Sequence, residues 1–562
     1  MASTIISLSN RAFAGIRRKN ASFDESKITC SDCQNIELYF TDANAGVGLR
    51  TSQGNNSVTT YKDQNGDVQE VISPSEEVIE IFETTQLGNK YLIAYTVDEA
   101  AGAGRLYNIN LSTNTSTLLA DGLKPLRVAS GCDYTQGYQD VFIFSNGEDI
   151  KYIYSDSENF YLLKVEDNSN LNLTYNIGDA TYTVKGLGLK VFDKRVWIFD
   201  GKILYYSDQT NCRNFIPEAD TSKVTSAGHI EFVKDITAIH PYLGSLAVFH
   251  KDSSSLLTVD SNTKFKISDE SPGGCASHNA IVFHGVDLYF YDDTKKGVFS
   301  FQQIVNGDKT LGNNIALDIQ EELMKITPTN INKIKALSVV TKDRNEVWFL
   351  LPISSEPNRS CVMIFDYLRM EWIKRKCQNI NTMSIYENSL YSAGKKIYAE
   401  YTTDLFDGEY IEHFYTCSIL NMLSDTSLKI TKFPPRISVD ASYKNDFFVQ
   451  YVKNYDVLKS PKIKQIKSKT TKNVIRYNSG ATYNSGAIYK PNAVTQVRKL
   501  PSANFKALQI KFYTENKNQD FCIKSIEFTK IKVKQIWLLF VLQNTNFLIT
   551  QNAKNFLNNT KK

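Results

Sequence analysis

Long apolar runs are missing from this sequence. The most apolar stretch, IWLLFVL at residues 536–542, is seven residues long, far below the roughly 20 that a membrane-spanning helix needs. The N-terminal segment, MASTIISLSNRAFAGIRRKN, offers only Ile5 and Ile6 as a continuous apolar stretch, which is too short for a signal peptide. The sequence therefore predicts no membrane span and a chain that is made and kept in the cytoplasm without secretion.

Cysteine and histidine are also sparse, and their spacing does not predict a metal site. The nine cysteines are an odd number, and the one close pair, Cys30 and Cys33, has no second CxxC or pair of histidines nearby. We interpret them as thiols of a reducing compartment. Isolated histidines on apolar strands are usually packed and hydrogen-bonded, so we predict no metal ligand and no cofactor. The six histidines are scattered along the chain at His229, His240, His250, His278, His284 and His413.

Motifs for catalysis or cofactor binding are absent from the sequence. It contains no Gly-x-x-x-x-Gly-Lys-Ser/Thr loop for phosphate, no His-Glu-x-x-His for zinc and no Gly-x-Ser-x-Gly turn for a nucleophilic serine. Four tryptophans are too few for the repeated Ser-x-Asp-x-Gly-x-x-Trp turns of sialidases. In GKILYYSDQTNCRNF, at residues 201–215, we interpret Ser207 and Asp208 as the end of a strand. The sequence predicts a protein that is not an enzyme.

Charge gives little guidance to function, whereas the aromatic content indicates a fold class. The 64 basic and 60 acidic residues leave a net charge of +4, which is too small in a chain of this length to argue for nucleic-acid binding. Tyrosine and phenylalanine, with 31 residues each, favour strands over helices. Together with glycine-containing turns, they predict an all-β protein.

One pattern recurs along the chain: a strand of aromatic and β-branched residues, a turn, then a second strand. The repeats begin at intervals of roughly 40–60 residues, which is the blade length of β-propellers and similar repeats. They predict β-propeller-like blades. The seven segments are KYLIAYTVD from Lys90, DVFIFSNGEDIKYIY from Asp140, RVWIFDGKILYYSD from Arg195, SLAVFHKDSSSLLTV from Ser245, DLYFYDDTKKGVFSF from Asp287, EVWFLLP from Glu346 with CVMIFDYLRMEW from Cys361, and SLYSAGKKIYAEY from Ser389.

Glycine-containing turns predict that the paired strands form hairpins. The pairs Asn-Gly at 146–147, Asp-Gly at 200–201 and Ala-Gly at 393–394 lie between such strands, where glycine supplies the positive φ of a tight turn. Asn-Gly at 65–66 is interpreted in the same way. The segment NNIALDIQEELMKI, at residues 313–326, has the apolar spacing of one short amphipathic helix.

The pattern changes after residue 410. The alternating run LKITKFPPRISVDASYKNDFFVQYVKNYD predicts a C-terminal antiparallel β platform domain rather than another blade. A basic run without one acid follows: Lys459, Lys462, Lys464, Lys467, Lys469, Lys472 and Arg476. Such lysines protect an edge strand from aggregation, or they form an electropositive surface that faces a phosphate backbone or an acidic neighbouring subunit. A second interaction candidate is the N-terminal group Arg17, Arg18 and Lys19.

The order of these segments carries a family resemblance. Near the N-terminus, Gly15 and Ile16 precede CQNIELYFTDANAGVGLRTSQGN. Then come RVWIFDGKILYYSDQTNCRNF, DITAIHPYLGSLAVFHKDSSSLLTV and GGCASHNAIVFHGVDLYFYDDTKKGVFSF, followed by EVWFLLP and by IFDYLRMEW, which closes with Trp372. This succession, over residues 10–530, resembles the tail nozzle or tail-hub proteins of short-tailed bacteriophages, also called tail tubular protein B or packaged-DNA stabilisation proteins. The segment from KQIWLLFVL onward has no counterpart in that pattern.

The resemblance implies a β-propeller carried on a β platform. It implies an N-terminal arm at residues 1–60 that joins the platform, a propeller at 61–410 and the platform at 411–534. Residues 535–562 follow as a tail to which the resemblance does not extend. Copies would form a homo-oligomer, a hexameric ring in the relatives, below the portal and adaptor proteins of a virion assembled in the host cytoplasm. The ring would extend the DNA channel, retain packaged DNA, support tail fibres or spikes and open for genome ejection. Contact with phage DNA would be transient and non-specific, because a channel that releases DNA cannot bind it tightly.

Two other functions are compatible with a propeller. A glycan-binding adhesin or tailspike uses exposed aromatic residues as sugar platforms, and the abundant tyrosines and phenylalanines agree with it. A propeller glycoside hydrolase needs a pair of carboxylates, which spacing alone does not identify in this sequence. The two-part pattern and the absence of a signal peptide favour a virion component over both.

Overall fold

The chain forms two compact units. Residues 53–411 make up one unit, named the propeller, and residues 1–52 with 412–562 make up the other, named the platform. The chain therefore leaves the platform once and returns to it once. The computed structural model describes residues 4–16, 27–40, 47–62, 68–136, 139–156, 162–166, 168–218, 225–260, 264–306, 314–341, 344–353, 359–418, 428–433, 435–440, 443–453, 462–467, 474–475, 488–489, 495–500, 503–505 and 508–535.

In the described residues, seven strands precede the first blade. The N-terminal part of the platform contributes β1 Thr4–Ile16, β2 Lys27–Gln34, β3 Ile36–Phe40 and β4 Val47–Thr51. The propeller begins with β5 Asn55–Ser57, β6 Thr60–Lys62 and β7 Val68–Glu70. β6 and β7 pair as a hairpin, and its turn, which contains the predicted Asn-Gly pair at 65–66, lies outside the described residues.

The described part of the propeller continues with seven small sheets, named blades 1 to 7, and one additional hairpin. The strands are β8 Glu77–Gln86, β9 Asn89–Asp98, β10 Ala103–Asn110 and β11 Thr115–Leu123 in blade 1; β12 Ser130–Gln136, β13 Gln139–Ser145, β14 Ile150–Ser155 and β15 Leu163–Val165 in blade 2; β16 Thr174–Ile177 and β17 Ala180–Thr183 in the hairpin; β18 Leu187–Phe192, β19 Arg195–Asp200, β20 Ile203–Tyr206 and β21 Gly228–Glu231 in blade 3; β22 Ala238–Tyr242, β23 Ser245–Phe249, β24 Ser253–Asp260, β25 Lys264–Ile267 and β26 Ser271–Pro272 in blade 4; β27 Ile281–His284, β28 Asp287–Asp292 and β29 Gly297–Ser300 in blade 5; β30 Lys335–Val340, β31 Asn345–Leu351, β32 Arg359–Asp366 and β33 Glu371–Gln378 in blade 6; β34 Ile380–Tyr386, β35 Ser389–Gly394 and β36 Ile397–Glu400 in blade 7. β5 pairs antiparallel with β36, so a strand from the start of the propeller completes its last blade.

The blades form a closed ring through contacts between their first strands. β8 contacts β12, β12 contacts β18, β18 contacts β22, and β27 contacts β30. Between blades 4 and 5, the ring of His240 stacks on that of Phe283 at 6.4 Å. The ring closes where β34 contacts both β30 and β8. Aromatic side chains also fill the space between neighbouring blades, as where Phe82 meets Phe142 at 5.4 Å between blades 1 and 2.

Each of the seven sequence segments coincides with the second strand of a different blade: β9, β13, β19, β23, β28, β31 and β35. These strands are covered on both faces; every residue of β28, for example, is buried. A strand that is buried on both faces has a nearly continuous apolar sequence, which is why these strands are visible in the sequence. The prediction of an all-β protein with propeller-like blades is confirmed.

Helices are few and short in the described residues. They are α1 Phe301–Asn306 and α2 Gln320–Leu323, with 3₁₀ turns at Asn168–Asn170, Leu317–Ile319 and Pro328–Lys333. α2 and the 3₁₀ turn before it lie within residues 313–326, where the sequence predicts a short helix. No helix in the described ranges has the length and apolar character required to cross a membrane.

The remaining strands belong to the platform: β37 Phe414–Cys417, β38 Leu428–Phe433, β39 Pro435–Asp440, β40 Phe447–Lys453, β41 Lys462–Ile466, β42 Val474–Ile475, β43 Ile488–Tyr489, β44 Thr495–Lys499, β45 Ala503–Phe505, β46 Leu508–Tyr513 and β47 Cys522–Gln535. Most of them join the N-terminal strands in one 13-stranded sheet with the order β3-β4-β47-β1-β2-β37-β46-β40-β41. Its pairings are antiparallel, as predicted for the platform, except that β1 and β2 run parallel.

Aromatic side chains from both segments of the platform form its core. Phe13 packs edge-on against Tyr415 at 5.5 Å and against Phe512 at 6.5 Å. Phe447 in turn contacts Phe512 at 6.2 Å. The Tyr415 hydroxyl donates a hydrogen bond to the Ala14 carbonyl at 2.8 Å. All four rings are buried, so the N-terminal strands are an integral part of this core.

Two of the predicted turn glycines have the expected conformation and one does not. Gly147 and Gly201 have φ values of +104° and +56°, in the left-handed region that glycine favours. Gly394 instead ends β35, without a positive φ, and the two residues after it connect to β36. A Cβ atom at Gly394 would lie 2.3 Å from the Asn379 carbonyl oxygen. The hairpin at 393–394 is confirmed, but the prediction that its glycine supplies positive φ is wrong, because close backbone packing requires this glycine.

Candidate functional site

Three of the predicted interaction residues lie in the described part of the platform. Lys462 and Lys464 are on β41, Lys467 follows that strand directly, and all three are exposed. The proposed roles of these lysines stay predictions. The other candidates lie outside the described residues: Arg17, Arg18, Lys19, Lys459, Lys469, Lys472 and Arg476.

The lysines stand on an edge strand. Among the described strands, β41 pairs with β40 alone. Lys464 lies opposite Val449 and Lys462 lies opposite Tyr451, and both of these partners are buried. Because cross-strand partners share a face of the sheet, the lysine stems lie at the border of the platform core while their charged ends reach water. This arrangement is the one expected of lysines that keep an edge from pairing with another chain.

The opposite face of the same strands carries a partly exposed aromatic surface. Ile463 is 51% exposed. On the neighbouring strands, Phe448 stacks with Tyr513 at 5.4 Å, and the Lys511 ammonium lies 4.3 Å from the centre of the Phe414 ring. The basic run does not predict this surface, although the alternation in FFVQY and LQIKFY marks its strands. It is named the edge face and comprises Phe414, Phe448, Ile463, Lys511 and Tyr513.

Charge on the edge face is balanced. The Lys511 ammonium forms an ion pair with the Glu412 carboxylate at 2.9 Å and also lies 5.0 Å from the centre of the Tyr513 ring. A flat surface of aromatic residues with a paired charge is typical of protein–protein contacts, whose central residues are enriched in aromatics and depleted in free charges. The edge face is therefore better suited to a protein partner than to a phosphate backbone.

Ser207 and Asp208 end a strand, as predicted. β20 ends just before them, and the Ser207 hydroxyl accepts a hydrogen bond from the Val196 N–H at 2.9 Å and donates one to the Asp208 carbonyl at 3.1 Å. The Asp208 carboxylate accepts hydrogen bonds from the Thr210 N–H and hydroxyl at 2.7 and 2.6 Å. Both polar side chains thus hold a turn in place.

The blades bring four titratable side chains together near the propeller centre. Cys132 on β12, Lys190 on β18, His240 on β22 and His278 before β27 interact electrostatically. Burial lowers the pKa of Lys190. Burial, together with the Lys190 charge, lowers the pKa of His240 to about 3 and that of His278 to about 4. Both imidazoles are therefore neutral at neutral pH, and His278 donates from Nε2 to the Ala129 carbonyl at 3.1 Å.

The cysteines and histidines do not assemble into a ligand set. In the part of the chain that the structure describes, no group of three or more His, Cys, Asp or Glu side chains is arranged to hold a metal ion. Cys30 and Cys33 are free thiols buried in the platform. Burial and the neighbouring Cys33 raise the pKa of Cys30 well above its usual value, so Cys30 is a protonated thiol at neutral pH.

No protein-family model matches this chain, and no curated protein matches its sequence. Similarity to solved structures is distant. The AfRom2 CNH domain is 10% identical over 62% of this chain and 96% of that one, with a TM-score of 0.27. A functionally unknown protein from Desulfotomaculum acetoxidans DSM 771 is 7% identical over 52% of this chain and 81% of that one, with a TM-score of 0.29. The N-terminal domain of Nup159 is 10% identical over 66% of this chain and 99% of that one, with a TM-score of 0.32.

Proposed function

We propose that this protein is a structural, non-enzymatic component of a virion, the tail nozzle or hub of a short-tailed bacteriophage. Copies assemble in the host cytoplasm into a ring, hexameric in the relatives, that extends the DNA channel below the portal and adaptor proteins. The ring retains packaged DNA, supports tail fibres or spikes and opens during genome ejection. Contact with DNA is transient and non-specific, because a channel that releases DNA cannot bind it tightly.

The insertion of the propeller between two platform segments supports this proposal most directly. β1 lies beside β47 in the platform sheet, with Ile6 opposite Ile531, although the whole propeller separates these strands in sequence. The segments on both sides of the propeller are thus hydrogen-bonded to each other. Such continuous pairing gives a stiff sheet, as the wall of a tail tube requires. The resemblance in sequence implies the same order of platform, propeller and platform.

We infer that copies meet at the edge face. Its aromatic residues and the 51% exposed Ile463 have the composition of a protein interface. Ile463 lies opposite Gln450, on the face of β41 away from Lys462 and Lys464, so a neighbouring chain can pack on this face without pairing with the strand edge that the lysines protect. A contact between two different surfaces of successive copies closes into a ring when the rotation between them allows it.

Native mass spectrometry of the purified full chain tests the proposal, with the chain alone and mixed with the adaptor or portal–tail fraction of the phage. We expect a closed ring, or a ring that forms only with the adaptor. Ile463→Glu places a charge on the edge face and is expected to prevent the ring. Val233→Glu, at a propeller residue that is 87% exposed, is the matched control and is expected to form the ring normally.

A chain that stays monomeric with and without the adaptor fraction would overturn the nozzle proposal. A ring that forms equally well in both variants would contradict only the role of the edge face. Both substitutions are made at exposed positions, so both variants should keep the fold. Circular dichroism of the two variants checks this and shows whether a missing ring is caused by a lost contact or by unfolding.

A further inference from the structure

The propeller carries a polar groove that the proposed nozzle function does not use. One part is a cavity of about 290 Å³ where blades 1, 6 and 7 meet, and the other is a neighbouring cavity of about 450 Å³ between blades 6 and 7. Arg359 and Asn379 line both cavities, and the two neighbouring cavities together are named the polar groove. The first volume lies at the lower limit of small-molecule sites, about 300 Å³, and the second lies within their range.

Cationic side chains outnumber acidic ones in the lining of the polar groove. Its cations are Arg127, Lys333, Lys335, Arg359 and Lys395, and its acids are Glu77, Asp407 and Glu409. Lys335 pairs with Glu80, and burial lowers its pKa to about 7, so its charge is not available to a ligand. Lys333 and Lys395 are exposed, and their ammonium groups form no ion pair or hydrogen bond with other described residues. These two charges are available to a ligand.

The two arginines of the groove are held in place by ion pairs. Arg127 donates to Glu77 at 2.6 Å and to Glu99 at 2.7 Å, and Arg359 donates from one terminal nitrogen to Glu409 at 2.7 Å. A guanidinium has five N–H donors, so each arginine retains donors after these bonds. Fixed guanidinium groups lose little freedom on binding a carboxylate.

Amide side chains supply the second kind of polar group. Asn332 and Asn379 line the groove, and the hydrogen bonds among described residues do not involve their side chains. Gln378 donates from Nε2 to Asn55 at 2.9 Å. Its Oε1 is buried and has no hydrogen-bond partner in the described part of the chain. Because that oxygen is buried, the exposed amides of Asn332 and Asn379 are the ones that offer donors and acceptors to a ligand.

We propose that the polar groove binds an acidic oligosaccharide, a sugar chain that carries carboxylates. Sugar hydroxyls both donate and accept hydrogen bonds, which matches the exposed amides of Asn332 and Asn379. Sugar carboxylates can form ion pairs with the lysines and can accept paired hydrogen bonds from the arginine guanidinium groups. A phosphate group at neutral pH supplies mainly acceptors and would leave the amide oxygens of Asn332 and Asn379 without a donor. Leu350 and Ile353 also line the groove and suit the apolar C–H faces of sugar rings.

This inference goes beyond the proposed function and does not depend on it. All residues of the polar groove belong to the propeller of a single chain, so binding requires no ring. Sugar binding and ring formation can therefore succeed or fail separately in experiments.

Isothermal titration calorimetry of the full chain tests the inference with three probes. Oligogalacturonate is the acidic sugar chain, a malto-oligosaccharide of equal length is the neutral one, and polyphosphate carries charge without sugar. We expect oligogalacturonate to bind at least about tenfold more tightly than either of the others, because charge-assisted hydrogen bonds are each worth about that factor.

Variants identify the groove as the binding site. The double substitution Lys333→Ala with Lys395→Ala is expected to lower the affinity for oligogalacturonate about tenfold, and Asn379→Ala is expected to lower it as well. The matched control, Lys202→Ala with Lys251→Ala, removes the same charge from exposed lysines outside the groove and is expected to leave the affinity unchanged.

Several results would overturn the inference. They are equal binding of the neutral chain, tighter binding of polyphosphate, an equal loss of affinity in the control, and no binding of any probe. The substituted lysines are exposed, so thermal unfolding of the variants should match that of the unchanged chain and confirm that a loss of affinity is local.

Discussion

Asn55 and Glu400 join the beginning and the end of the propeller. They lie opposite each other in the β5–β36 ladder, and the Asn55 Nδ2 donates to the Glu400 carboxylate at 2.8 Å. Glu400 also accepts hydrogen bonds from Arg375 at 2.6 Å and from the Ser392 hydroxyl at 2.5 Å. The ring of blades is therefore closed by backbone pairing and by a buried polar network together.

Loss of the buried charge in this network should destabilise the propeller strongly. Arg375 and Glu400 have side chains only 2% exposed, so Arg375→Met leaves a buried carboxylate without its cation. We expect a loss of about 3–5 kcal/mol in the free energy of unfolding, measured by urea denaturation. Lys234→Met, which breaks ion pairs with the exposed Asp252 and Glu270, is the control and should cost about 0–1 kcal/mol. Equal losses in both variants would contradict the closing role of the network.

Acidification should destabilise the propeller through His278. Burial lowers its pKa in the folded chain to about 4, whereas an unfolded histidine has a pKa of about 6.5. Between these values the unfolded state binds a proton that the folded state does not bind, so stability falls as the pH falls through this window. At the lower end the loss reaches about 3 kcal/mol.

His278→Gln retains a side-chain donor but does not titrate, so its stability should depend less on pH. Urea midpoints from about pH 7 to about pH 4.5 provide the measurement. Parallel curves for the variant and the unchanged chain would show that His278 does not cause the loss.

Gly394 should tolerate no side chain, although its φ is not positive. An alanine Cβ there would lie 2.3 Å from the Asn379 carbonyl oxygen, so the hairpin of blade 7 must shift. We expect Gly394→Ala to cost about 2–3 kcal/mol. Gly201→Ala, with φ of +56° and open space around its Cβ position, should cost about 1 kcal/mol from backbone strain alone. If thermal unfolding shows a larger loss of stability for Gly201→Ala than for Gly394→Ala, the packing explanation is wrong.

Lys462 and Lys464 on the edge strand β41 should prevent non-specific association between copies of the chain. Replacing Lys462 and Lys464 with valine turns β41 into an apolar edge strand, which is expected to pair with other chains. Dynamic light scattering should show large, polydisperse particles for this double variant. Arginine at the same two positions keeps the charge and should leave the particle size unchanged. If the particles of the valine variant are no larger than those of the unchanged chain, another part of the molecule protects this edge.

The sequence reveals the blades because their second strands are buried on both faces. Their apolar runs, such as RVWIFD in β19, stand out from the half-exposed strands around them. The closing strand β5 has the sequence NNS, which contains no strand pattern, because its pairing depends on β36 and not on its own side chains. The role of Gly394 is likewise set by a neighbouring backbone that the sequence does not show.

The polar groove could not be predicted for a related reason. Asn381 donates to Glu77 at 2.8 Å although 304 positions separate them in the chain. Only closure of the ring brings these residues together, and no local spacing marks them as neighbours. The basic run could be recognised as an edge strand or as a charged surface, but the aromatic edge face behind it required the register of β40, β41 and β46.

The point where the chain leaves the platform lies beside the point where it returns. His413 donates from Nε2 to the Ser52 carbonyl at 3.2 Å, and the propeller is the segment between these two residues. A gene segment bounded at these positions can be exchanged by recombination without disturbing the strand order of the platform. Lineages that share this platform can therefore inherit different inserted domains, and a stretch of sequence as long as the propeller can be replaced in one event.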